Sequence, residues 1–135
     1  MPREEDPKIL SALRRAFAAS EPCVVSFTRT ANGQGHRKDE GIAPLLRAMP
    51  VPLAGKQAAL KSAMVKFIDD GGWVNRKDED GDVEMGFPPA VYHEFRLLVA
   101  SVPLYVKVTM QDAETNNPVV IVISVKRDDK ARARR

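Results

Sequence analysis

The chain has 135 residues, 44% of them hydrophobic and 29% charged, a composition that fits one soluble globular domain and excludes a disordered or fibrous chain. No apolar run approaches the roughly 18 residues of a membrane span, and the opening MPREEDPK is charged with no apolar run behind it, so neither a membrane segment nor a secretory leader is expected. The net charge of +3 belongs to the end of the chain: the last ten residues carry six positive and two negative charges, which leaves −1 for the other 125.

That distribution does not mark the body of the protein as basic. Cytoplasmic location in a bacterium-like cell is the expectation. Cys23 is the only cysteine. No internal disulfide is possible, and beside Val24 and Val25 it reads as a small core residue rather than a nucleophile.

In chain order, Asp6-Pro7 is a helix start, with Asp as N-cap and Pro at the first helical position. Ile9, Leu10, Leu13, Ala16 and Phe17 follow at helical spacing, and Arg14 and Arg15 lie off that line. Glu21-Pro22 ends the helix, and CVVSFT (23–28) reads as a short buried strand. Residues 29–41 form a loop by composition, with Arg29, His36, Arg37 and Lys38 among Gly33 and Gly35. A short helix is expected over 42–49, stopped by Pro50 and Pro52.

Residues 55–70 form the clearest helix, with Leu60, Ala63, Met64, Phe67 and Ile68 in one stripe, Lys56, Lys61 and Lys66 outside it, and Gly71-Gly72 at its end. WVNRK and DVEMGF read as short strands joined by the acidic turn 78–82. AVYHEFRLLVASV fits a helix, or a strand followed by a loop; we read it as helix. The final element is a hairpin, LYVKVTM and VVIVISVKR, around a polar Asn-Asn-Pro turn. The expected fold is α+β over residues 6–126. N-terminal helices pack on one face of a mostly antiparallel sheet of about four to five strands, and a flexible basic tail follows over 127–135.

The hairpin poses the functional question. Alternation puts Leu104, Val106, Val108 and Met110 on one face and Tyr105, Lys107 and Thr109 on the other. The partner strand divides into Val119, Ile121, Ile123 and Val125 against Val120, Val122, Ser124 and Lys126. With the fully apolar sets packed on the helices, Tyr105, Lys107, Thr109, Ser124 and Lys126 share the open face. Folding about 114–116 sets Tyr105 opposite Ser124 or Lys126.

Ammonium groups stabilise phosphate charge, and a phenol beside cations can move a proton. Together these are the parts needed to cleave RNA without metal, by attack of the 2′-hydroxyl on the neighbouring phosphate. A second reading stays open: Lys and Tyr are ordinary residues for the wet side of a hairpin.

YHEFRLLVASVPLYVKVTM followed by VVIVISVKR resembles the C-terminal half of the MqsR-type toxin ribonucleases, within the wider RelE-, colicin- and barnase-like group. The matching motifs are Tyr105-Val106-Lys107 and Ser124-Val125-Lys126, with Lys61-Ser62 similar to the family's upstream Lys-Ser pair. The resemblance implies catalytic roles for Lys61, Tyr105 and Lys126, and no cofactor or metal. In an enzyme of that type Lys107, Ser124, Arg127, His36, Arg37 and Lys38 are the expected RNA contacts, and an antitoxin or immunity protein is the expected partner. The family's glutamine has no clear counterpart, since Gln57 and Gln111 lie elsewhere; His93 and Glu84 are the candidates for its place. The alternatives are a non-catalytic nucleic-acid-binding or regulatory module, and a protein-interaction domain of immunity or phage-inhibitor type presenting the acidic 78–84 stretch.

Other features carry less. His93-Glu94 is either an acid–base pair or a structural histidine among aromatics. The 36–38 loop either grips phosphate or is a solvated charged loop. The spacing of Asp78, Asp80 and Asp82 fails the calcium-loop pattern, because Gly81 intervenes and no Glu follows at the right distance. Two histidines and one cysteine make no structural zinc site. Trp73 reads as a core anchor, with base stacking as the alternative. The terminal KARARR suits either a phosphate backbone or a solubilising tail.

Overall fold

The computed structural model describes residues 3–19, 25–27, 53–79, 84, 90–111 and 118–128. The expected loop over 29–41, the helix over 42–49, most of the DVEMGF strand, the hairpin turn and residues 129–135 lie outside them.

Helix α1 (Pro7–Ala18) starts where the sequence places it: the Asp6 carboxylate accepts a hydrogen bond from the Lys8 backbone N–H at 2.9 Å. Ala12, Leu13, Ala16 and Phe17 are buried, while Arg14 and Arg15 stay outside. Strand β1 (Val25–Phe27) falls within the expected apolar run.

Helix α2 (Leu53–Asp69) buries Leu60 and Met64. Lys56, expected on the wet side, is buried. It lies four residues before Leu60 and eight before Met64, so helical periodicity places it on the same stripe. The helix ends in a Schellman motif: Gly71 N–H bonds Ile68 O at 3.0 Å and Gly72 N–H bonds Phe67 O at 2.8 Å. Gly71 has φ +76°, the left-handed geometry that this closure needs. Arg14 and Asp69 tie the two helices together at the surface at 2.6 Å. The hydrogen bond from Arg14 holds the Asp69 carboxyl below the usual aspartate range.

Strands β2 (Asn75–Glu79), β3 (Ala90–Val99), β4 (Val102–Gln111) and β5 (Val119–Arg127) complete a five-stranded sheet of order β1-β5-β4-β3-β2. Strands β2 to β5 pair antiparallel, and β1 joins β5 in parallel at the edge. The α+β expectation holds, with helices on one face of a mostly antiparallel sheet. Asp78 and Glu79, read as turn, belong to β2. The basic tail was expected from residue 127, but β5 runs through Arg127 and Asp128 is buried.

The segment over 90–99 is a strand, not the helix we expected. Two features obscured it. Its β-branched and aromatic residues are interleaved with Glu, Arg and Leu, which suit helices equally well. Its turn to β4 is Ala100-Ser101, with φ values of +50° and +67°. Positive φ at both central residues is the I′ geometry of a two-residue hairpin, normally signalled by Asn-Gly. Without that signal the hairpin was invisible. The same strain makes a prediction. Replacing Ala100-Ser101 by Asn-Gly is expected to stabilise the fold by about 1–2 kcal/mol, read as a raised urea midpoint at unchanged slope.

The core lies between the helices and one face of the sheet. It joins Leu13, Phe17, Leu60 and Met64 to Phe95, Leu97, Leu104, Val106, Val108, Val120, Val122 and Val125. Phe95 packs edge-on against Phe17, with ring centroids 6.0 Å apart, and tilted against Phe67 at 5.7 Å. Trp73, read as a core anchor, is 56% exposed beneath the Arg3 guanidinium; Val74 takes the buried position instead. Among the described residues, no helix is long and apolar enough to cross a membrane.

Candidate active site

The hairpin register decides which side chains share the open face. Tyr105 pairs with Lys126 and Lys107 with Ser124, but Val108 pairs with Val122, so Ile123 is an extra residue in β5. This bulge reverses the alternation midway along the strand. Val120 and Val122 face the core before it and Val125 faces the core after it. The strict alternation expected from sequence, with 119, 121, 123 and 125 as the inner set, is therefore corrected. Had alternation continued from Val120 and Val122, Ser124 and Lys126 would point at the helices. The bulge turns both outward, beside Lys107 and Tyr105.

Strand β3 adds a part of the face that the helix reading missed. Alternation from buried Phe95 and Leu97 sends Tyr92, Glu94, Arg96 and Leu98 to the open side. Arg96 pairs directly with Tyr105, and Glu94 with Lys107. A row across three strands therefore reads Arg96, Tyr105, Lys126. The Arg96 guanidinium lies 4.9 Å from the Tyr105 ring centroid and the Lys126 ammonium 5.1 Å from it. In the adjacent row the Lys107 ammonium stands 4.2 Å from the Tyr92 ring. The Tyr105 hydroxyl donates to Glu94 Oε2, and Arg96 donates to Asp128 Oδ1. Lys126 is exposed and Tyr105 half-buried, and both described helices pack on the opposite side of the sheet.

Four of the residues named from sequence thus come together: Tyr105, Lys107, Ser124 and Lys126. Three do not. Lys61 sits on α2, beneath the other face, and its ammonium donates to Ala19 O at 2.9 Å. A helix packed on the inner face cannot deliver a side chain through a five-stranded sheet. Arg127 pairs with buried Leu104 and so points away from the face that carries its neighbour Lys126.

His93 is also on the inner side, 3% exposed, with Nε2 2.9 Å from Glu4 Oε1. It cannot act with Glu94, because adjacent strand residues point to opposite faces. Its other ring nitrogen, Nδ1, is buried without a hydrogen-bond partner among the described residues. The Arg76 guanidinium reaches the same Glu4 oxygen at 3.4 Å, so His93 and Arg76 together pin the N-terminal segment to β2 and β3. His36, Arg37 and Lys38 lie outside the described residues.

Sequence reasoning set neither Glu94, named only as a partner for His93, nor Arg96 beside Tyr105, and it missed Asp128. The signal for the first two was period-two alternation in VYHEFRLLV, legible only once the segment is taken as a strand. Among the described residues, no three His, Cys, Asp or Glu side chains gather as metal ligands. The chain matches no family model, no curated protein and no solved structure. What it does is therefore read from the chemistry of this face.

Proposed function

We propose that the open face of β3, β4 and β5 is the active site of a small endoribonuclease of the bacterial toxin type, which cleaves RNA by internal transesterification without metal. The observation that supports this most is the row Arg96, Tyr105, Lys126, which sets the ring of a tyrosine between two cations on the open side of the sheet. A phosphodiester lying along the row meets a guanidinium on one side and an ammonium on the other. Both are charges suited to the extra negative charge of a pentacoordinate phosphorus. The 2′-oxygen attacks phosphorus, the bond from phosphorus to the 5′-oxygen breaks, and the products are a 2′,3′-cyclic phosphate and a 5′-hydroxyl.

Lys107 and the half-buried Ser124 hold the neighbouring stretch of RNA. Tyr92 offers a ring for base stacking in the next row. A toxin of this kind needs an antitoxin or immunity protein, and a partner seated on this face would block it.

The test is incubation of the purified chain with end-labelled RNA in EDTA. Cleavage leaving a cyclic phosphate supports the enzyme. Binding that weakens steeply with salt but yields no product would make the face a nucleic-acid-binding surface only.

A further inference from the structure

We propose that Glu94 is the terminal proton acceptor of this cleavage, and that it works through the Tyr105 hydroxyl; the inference rests on the ribonuclease reading above.

Glu94 is 5% exposed although it points to the open face. A carboxylate so far from water is costly unless it is partnered. Its partner is Tyr105, which donates to Oε2, and its register neighbours are Lys107 on β4 and Asn75 on β2. Tyr92 and Arg96 flank it on its own strand. A substrate hydroxyl on the surface therefore meets Tyr105 before Glu94. The phenol bridges the two, with its proton already directed at the carboxylate.

The step balances without an added reagent. The 2′-hydroxyl gives its proton to Tyr105 Oη as Tyr105 passes its own to Glu94 Oε2. The bond from O2′ to phosphorus forms, and the bond from phosphorus to O5′ breaks. The Lys126 ammonium gives a proton to the departing 5′-oxygen. The Glu94 carboxyl then loses its proton to solvent through Tyr105, and Lys126 regains one. Among the described residues, His93 does not compete as a base for this site, because it is engaged with Glu4 on the far side of the sheet. Glu94 is thus a positioning and proton-holding residue, and Tyr105 is the group that touches substrate.

The experiment measures cyclic-phosphate formation from a labelled oligoribonucleotide in EDTA, from about pH 4 to 9, with urea unfolding of each protein as a check on folding. Wild type, Glu94→Gln and Glu94→Asp are compared. The wild-type rate is expected to rise as a carboxyl group loses its proton. Glu94→Gln is expected to lose about 100-fold or more and to lose that acid limb, because an amide accepts the Tyr105 hydrogen bond but cannot take the proton. Glu94→Asp is expected to keep the limb at a reduced rate.

Wild-type cleavage matched by Glu94→Gln, or an unchanged acid limb in that variant, overturns the role of Glu94 and leaves the ribonuclease standing. Should Glu94→Gln fail to fold, a folded Glu94→Asp without an acid limb overturns it equally. Absence of wild-type cleavage removes both readings together.

Discussion

Tyr105→Phe is expected to lower RNA cleavage by about 100-fold or more, the usual contribution of one positioned proton-transfer group. Lys126→Ala is expected to cost about as much, since it removes one of two cations facing the reacting phosphate. Neither change touches the core: Tyr105 and Lys126 alternate with the buried Leu104, Val106 and Val125, on the other side of the sheet. Lys126→Ala should therefore unfold at nearly the wild-type urea concentration, whereas Tyr105→Phe leaves the buried Glu94 without its hydroxyl donor and should unfold somewhat earlier; each rate is read under conditions where the variant is shown to be folded. Growth arrest on expression, relieved by either variant, is the cellular form of the same result.

Lys61→Ala supplies the contrast. The resemblance to MqsR-type toxins implies a catalytic role for Lys61, but its ammonium is bonded to Ala19 O beneath the opposite face. The rate of Lys61→Ala is expected to match wild type. A loss equal to that of Lys126→Ala would mean that RNA does not lie on the row Arg96, Tyr105, Lys126.

Phe95→Ala is expected to destabilise the fold by about 3–5 kcal/mol. Its side chain is fully buried and touches an aromatic ring from each helix, Phe17 from α1 and Phe67 from α2. Truncation leaves a cavity where both helices meet β3, and neither helix can close it without losing its contact with the other strands. Against the ~5–15 kcal/mol typical of a small domain, that is a large fraction. A loss below about 1 kcal/mol in urea unfolding would show that residues 90–99 do not lie in the sheet with Phe95 inward. The active-site prediction depends on that strand too, because Glu94 and Arg96 face outward only if Phe95 faces inward.

The two helices were readable because each carries local evidence of its own. The Asp6-Pro7 cap and the glycine pair after Asp70 are chemical stop and start signs that act within a few residues. The hairpin was readable because two long β-branched runs leave few registers, and these put Tyr105 opposite Ser124 or Lys126; the register itself pairs it with Lys126. The strand over 90–99 was not readable. Its turn uses Ala100 and Ser101 at positive φ, and only pairing with β2 and β4 makes that local cost acceptable. The place of Glu94 and Arg96 beside Tyr105 was lost with it.

Local chemistry along the chain was enough to specify the α+β class, the core positions of α1, α2 and β4, and a tyrosine beside a lysine on the closing hairpin. The assembled sheet alone decided three other matters. It turned Ser124 and Lys126 outward through the bulge at Ile123, it set Glu94 and Arg96 beside Tyr105, and it removed Lys61, His93 and Arg127 from that group. The physical reason is that a residue's own neighbours in the chain set its propensity and its phase. Which face that phase presents, and what stands across from it, depends on strands distant in the chain: Asn75 of β2 pairs with Glu94 of β3, and Val25 of β1 pairs with Val120 of β5.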